Sequence, residues 1–184
     1  MAALIRLYVA VTLDGFLASP DGGVEWLAPF DDQDFGYAAF YERVGLLIMG
    51  RETYDQTLSF GPWPYGARTC RVLTSRPLGR DAPPGVARWD GNTAGLIRAA
   101  RGHDDGDVWV VGGARTIGLF LRHGVVDQID MFVMPVWLGR GLRLFPETPP
   151  RLLPTLVRTQ KHASGVVQLT YRTRPPFTVT AAPG

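Results

Sequence analysis

Three short stretches constrain this chain most. They read Leu46-Leu47-Ile48-Met49-Gly50-Arg51-Glu52-Thr53-Tyr54, Val72-Leu73-Thr74-Ser75-Arg76-Pro77 and Val108-Trp109-Val110-Val111-Gly112-Gly113-Ala114-Arg115-Thr116. In each, an apolar run of strand length stops at Gly, Ser or Thr, with an arginine within a few residues of the stop. Unbroken apolar runs this short belong to strands covered on both faces, the usual state of a parallel sheet. Turns at the carboxyl edge of such a sheet bind phosphorylated ligands, because small residues expose backbone N–H groups and arginine adds charge. The pattern points to a layered α/β fold with a site for a nucleotide-like ligand.

The remaining periodicity agrees. The run from Leu4 to Leu13 is apolar apart from Arg6 and Thr12, as expected of another central strand. Helical spacing appears over 34–43, 53–58, 93–101 and 114–122; the last carries Ile117, Phe120 and Leu121 on one side and Gly124 at its stop. Alternating strands and helices imply right-handed crossovers onto one sheet. The final third changes character. Residues 127–136, 155–162 and 166–173 are strand-like, and Ala163-Ser164-Gly165 is a turn, so an antiparallel hairpin is expected to close the sheet. A single domain over residues 1–174 is expected, with a loose tail over 175–184.

Bulk properties narrow the function. With 184 residues and 46% hydrophobic content, one globular core is within reach. The formal net charge is +2 and the basic residues are scattered, which argues against a nucleic-acid stripe or a polybasic membrane segment. Cys70 is the single cysteine, so no internal disulfide or paired-cysteine zinc site is available. No run is long enough to span a membrane and no leader pattern opens the sequence, so a cytoplasmic protein is expected. Gly-x-Gly-x-x-Gly between strand and helix, the phosphate-loop lysine, His-Glu-x-x-His and Gly-x-Ser-x-Gly are all missing. No metal site is expected.

In order and spacing, Met49-Gly50-Arg51-x-Thr53-Tyr54, Leu73-Thr74-Ser75-Arg76-Pro77 and Val111-Gly112-Gly113-Ala114-Arg115 resemble the cofactor segments of the dihydrofolate reductase superfamily. The opening Val9-Ala10-Val11-Thr12-Leu13-Asp14-Gly15-Phe16-Leu17-Ala18 and the later Gly22-Gly23-Val24-Glu25-Trp26-Leu27 look more like its riboflavin-type branch, the RibD C-terminal-like proteins. That resemblance implies a central, mostly parallel sheet flanked by helices, with a C-terminal antiparallel hairpin. It also implies NADPH as cofactor. Gly50, Arg51 and Thr53 match the turn whose helix start holds the diphosphate. Thr74, Ser75 and Arg76 match the adenosine segment, with Arg51 and Arg115 converging on a 2′-phosphate, which favours NADPH over NADH. Gly112 and Gly113 match a pair joined by a cis peptide beside the nicotinamide, followed by Ala114 and Thr116; Ala10 and Leu17 complete the implied cofactor contacts.

The implied reaction is hydride transfer to a C=N or similar bond of a small heterocyclic or imine-like substrate: a pterin, a ribosylaminopyrimidine or a specialised metabolite. Counting back from Gly50 puts Asp34 where folate reductases carry a proton-handling carboxylate, although Asp31, Asp32 and Asp34 also read as a helix-start cluster. Ala38 stands where those enzymes carry an aromatic contact, which argues against folate itself. Substrate contacts are implied for Asp14, Trp26 and Arg68; as alternatives, Asp14 forms a turn with Gly15 and Arg68 merely begins a strand. The branch also implies a homodimer, with apolar Met131-Phe132-Val133 as one surface for it or, equally, as core. The rival to an enzyme is a non-catalytic NADPH-binding protein.

Overall fold

The chain forms, in order, β1 (Ile5–Thr12), β2 (Phe16–Ala18), a 3-10 helix (Glu25–Phe30), α1 (Tyr37–Glu42), β3 (Val44–Gly50), α2 (Arg51–Ser59), β4 (Thr69–Leu73) and β5 (Val86–Trp89). It continues with α3 (Thr93–Arg101), β6 (Asp107–Gly112), α4 (Ala114–Arg122), β7 (Gln128–Met134), β8 (Leu142–Arg143), β9 (Thr155–Lys161) and β10 (Val167–Arg172). These elements come from a computed structural model that describes residues 3–145 and 153–173. The expected tail over 175–184 and most of the Pro-rich stretch near residue 150 lie outside the described residues.

Eight strands make one sheet in the order β5-β4-β3-β6-β1-β7-β10-β9. The first six are parallel, and β10 runs antiparallel to both β7 and β9. This is the expected arrangement, mostly parallel with a terminal antiparallel hairpin. Tight turning at Gly165, where φ is 85°, lets the His162 N–H donate to the Val166 carbonyl at 2.9 Å. A separate pair, β2 with β8, was not foreshadowed by any period because its strands are only three and two residues long.

Strand alternation assigns the two faces. Ile5, Leu7, Val9 and Val11 of β1 pack with Leu96 and Ala100 of α3 and with Ile117, Phe120 and Leu121 of α4. The opposite face meets α1 and α2: Phe40 and Tyr54 pack with Leu47, Met49, Cys70, Val72 and Trp109. Burying each large apolar side chain here contributes about 1.5–3 kcal/mol before entropy is counted. Met131, Phe132 and Val133 lie inside β7, between β1 and β10, with Phe132 only 4% exposed. Phe132 is core on one face, and Met131 and Val133 are partly buried against the core on the other.

A buried polar knot crosses the α1 face. Arg6 donates to Asp107 at 3.2 Å and to Asp130 at 2.7 Å, while its guanidinium lies 4.8 Å from the centre of the Phe40 ring. Asp130 also accepts from Thr170 at 2.9 Å and from Gln128 at 2.9 Å, and Asp107 from the Leu4 N–H at 3.1 Å. One arginine thereby ties β1, β6, β7 and β10 together.

Candidate functional site

The carboxyl ends of β3 and β6 lie side by side, with Met49 opposite Gly112, and each runs directly into a nine-residue helix. Gly50 and Gly113 are the residues preceding α2 and α4, and neither helix has a side-chain cap. The first N–H groups of both helices are therefore left for something else to satisfy. The peptide between Gly112 and Gly113 is cis, and Gly112 has φ of 151°, which an L side chain rarely adopts.

Each turn carries the threonine that crowds the other turn's glycine. A Cβ on Gly50 would stand 2.9 Å from Thr116 Oγ1, and one on Gly113 would stand 3.2 Å from Thr53 Oγ1. Glycine keeps this space open, and two hydroxyls border it. Thr116 is buried, whereas Arg115 is exposed beside it. The structure thus brings Gly50, Thr53, Gly112, Gly113, Ala114 and Thr116 into one cradle at the edge of the sheet.

Arg51 adjoins this cradle but is held. Its Nε donates to both oxygens of Asp55 at 2.7 and 2.8 Å, and its Nη1 donates to the Pro77 carbonyl at 3.0 Å. It thereby fixes the 74–77 segment against α2. Thr74 Oγ1 accepts the Arg76 N–H at 3.0 Å, shaping a turn that leaves Ser75 and Arg76 exposed. Beside them is a hollow of about 240 Å³, bordered by Thr74, Ser75, Trp89, Asp90 and Leu96. Arg88 donates to the Ser75 carbonyl at 2.9 Å and pairs with Asp90 at 2.5 Å, and the Trp89 N–H is buried with no partner among the described residues. Sequence reasoning missed Arg88, Trp89 and Asp90. The strand that carries them, β5, is a four-residue edge with no buried side chain, so it has no apolar run to announce it.

The residues implied for substrate, for proton handling and for the remaining cofactor contacts are scattered. Ala10 lies on the α1 face of β1, and Trp26 packs with Phe132, Met134 and Val166, its indole N–H buried and unpaired among the described residues. Leu17 packs at the edge of the opposite cluster. Asp34 is exposed, and its Oδ1 accepts the Ala38 N–H at 3.0 Å, a capping contact just before α1. Nearby, Tyr8 donates its hydroxyl to the Phe35 carbonyl at 3.1 Å. Burial, reinforced by the charges of Asp34 and Asp130, pushes that hydroxyl far above the usual tyrosine range, so it acts as a neutral donor.

Asp14 spans two loops. It accepts from the Thr12 hydroxyl at 2.6 Å, the Gly139 N–H at 2.7 Å and the Leu138 N–H at 3.2 Å. Partial burial pushes its carboxyl up, but these hydrogen bonds outweigh that effect and hold it below the usual carboxylate range. Arg68 is not brought to the cradle. Its guanidinium donates to the Val44 carbonyl and lies 4.4 Å from the centre of the Tyr41 ring. Val44 begins β3 and Gly50 ends it, a separation of roughly 20 Å at 3.3 Å per residue. Arg68 thereby ties the starts of two strands to α1.

Among the described residues no group of His, Cys, Asp or Glu side chains could hold a metal ion, and no helix is long and apolar enough to cross a membrane. Comparison with known proteins agrees with the architecture. The chain is 35% identical over 143 residues to YwjB, an uncharacterized protein of Bacillus subtilis (strain 168), covering 77% of this chain and 82% of that one. It is 27% identical over 175 residues to the riboflavin biosynthesis protein RibD of Corynebacterium ammoniagenes, covering 88% of this chain and half of that protein. The crystal structure of a putative riboflavin biosynthesis protein from Shewanella sp. PV-4 superimposes with a TM-score of 0.79 at 28% identity, over 95% of this chain and 99% of that one. The model of the RibD C-terminal domain matches residues 3–168, and the chain belongs to that family.

Proposed function

We propose that this protein is an NADPH-dependent reductase of a small heterocyclic or imine-like substrate. The observation that carries this reading is the meeting of two uncapped helix starts at Gly50 and Gly113, with Thr53 and Thr116 between them. Paired helix N-termini present free N–H groups and the positive ends of their dipoles, a fitting environment for a diphosphate. Arg51, Arg76 and Arg115 supply positive charge around it. The hollow beside Thr74 and Ser75, walled by Trp89, suits the adenosine end.

When bound, NADPH supplies the hydride; the protein supplies alignment and exclusion of water. Gly50, Gly112 and Gly113 admit the cofactor's backbone-hugging portion because no Cβ blocks them. Trp26 borders the α1 face, where a flat substrate would lie, and Ala10 on the same face is kept as a cofactor contact. Asp34 is the carboxylate proposed to handle the proton that accompanies hydride transfer to C=N. Its capping contact occupies Oδ1 only. Because that carboxylate is exposed and serves as a cap, a second reading has footing: a non-catalytic NADPH-binding protein.

Calorimetric titration with NADPH and NADH, repeated on Arg51→Ala and Arg115→Ala, tests the proposal. The expected result is preference for NADPH and a loss of tenfold or more in each variant, in line with the worth of a charge-assisted phosphate contact. Binding of neither nucleotide overturns it. Loss of nicotinamide absorbance with a pterin, a ribosylaminopyrimidine or a cyclic imine then separates the substrate classes. Binding without turnover by any acceptor favours the non-catalytic reading.

A further inference from the structure

We propose that the cavity between α1 and the β9–β10 hairpin is a second ligand site, built for a small aromatic anion and independent of the nucleotide cradle. The cavity measures about 720 Å³, within the range of small-molecule sites. It lies on the α1 face, low on β1 and β7. Arg6 is in register with Trp109, three residues before Gly112, so the cavity floor is about 10 Å below the cradle. It is also displaced sideways: β10 and β9 are three and four strands from β6, or roughly 14–19 Å.

Its walls are polar where ordinary packing would make them apolar. Arg6, Arg43, Arg158, Gln160, Gln168 and His162 all line it. Two of these carry buried nitrogens with no partner among the described residues, Arg6 Nε and His162 Nε2. Such atoms are costly to leave unpaired, at about 1–3 kcal/mol each, and a small side-chain shift that brought a ligand to them would recover that cost. Gln168, at 9% exposure, adds a buried amide.

Charge decides the kind of ligand. Three guanidinium groups line the cavity against one carboxylate, Asp130. Arg6 is engaged by Asp107 and Asp130, and Arg43 shares Asp107 at 3.3 Å. Arg158 faces no carboxylate among the described residues and bonds only to the amide oxygen of Gln160. With Asp34 and Asp107 counted the charges balance, and Arg158 is the lining cation left without a carboxylate among the described residues, which suits a ligand carboxylate or phosphate. Tyr8, Phe35 and Phe40 supply an aromatic wall for a flat ring.

The test is calorimetry on the full chain with phenyl phosphate, benzoate, inorganic phosphate and neutral benzyl alcohol. Phenyl phosphate or benzoate should bind and benzyl alcohol should not, and saturating NADPH should leave the affinity unchanged. Whichever of the two binds more tightly identifies phosphate or carboxylate as the preferred head group. Arg158→Ala should weaken binding at least tenfold and Arg158→Lys less, whereas Arg122→Ala, at the far end of α4, should change nothing. Gln160→Ala gives a second variant on an exposed strand, expected to weaken binding several-fold. No heat with either aromatic anion overturns the proposal. So does binding that survives Arg158→Ala, displacement by NADPH, or binding of inorganic phosphate alone at high concentration, which would mark an adventitious ion only.

Discussion

Arg6 illustrates how a single residue can matter through partners far away in sequence. Asp107 and Asp130 are both nearly buried, so removing the guanidinium strands Asp130 without a cation and leaves Asp107 only the exposed Arg43. Arg6→Met is expected to destabilise the fold by about 3–5 kcal/mol, read from urea unfolding. Asp14 gives a pH-dependent counterpart. Its carboxyl is held below the usual range in the folded chain, so the unfolded chain takes up the proton first as pH falls. The stability it adds is complete above the unfolded value and is lost as pH drops through the folded one. The stability gap between wild type and Asp14→Asn should therefore be open at neutral pH and close in acid, as urea melts at several pH values would record. Gly50→Ala should lower nucleotide affinity by at least tenfold, because the new Cβ meets Thr116 Oγ1 at 2.9 Å. Adding Thr116→Ala should restore part of that loss; a calorimetric double-mutant cycle would measure it. The glycines of the cradle were legible because a turn is a local matter. The Arg6 knot was not, since its partners stand 101 and 124 residues away and only the lone charge in an apolar run hinted at it.

Among the elements, α3 and α4 begin and end where their spacing predicts. For α3 the reason is a cap: Asn92 accepts the Gly95 N–H at 2.8 Å, and Gly102 follows the last turn. Asn92→Ala should cost about 1 kcal/mol in thermal or urea unfolding without altering the sheet. Helix α1 starts at Tyr37 rather than at Asp34 because Phe35 and Gly36 take φ values of 42° and 84°, which no helix can include. That kink is what turns Asp34 from a first-turn residue into a cap. The parallel strands β1, β3 and β6 were readable from their apolar runs, whereas β5, β2 and β8 were not, being short or exposed. Substrate recognition suffered the same fate as these short pieces. The proposed substrate contacts lie in connecting segments, whose residues follow no period and acquire meaning only from their neighbours in space.

For the molecule as a whole, Cys70 reports on opening. It is fully buried on β4, and burial pushes its thiol up to about 12. A thiol so protonated and enclosed should resist labelling in the native state and react at the rate at which the fold opens, which pulse labelling in increasing urea would reveal. The sheet order carries one more consequence. Strand β6 sits between β1 and β3, although more than fifty residues of chain separate β3 from it. Synthesis runs from the amino terminus, so a growing chain carries β1 and β3 as unmatched apolar edges until residue 107 and its successors have left the ribosome. The centre of the molecule is thus finished late, and it is during this interval, rather than in the completed protein, that the chain is most exposed to aggregation and most in need of a chaperone.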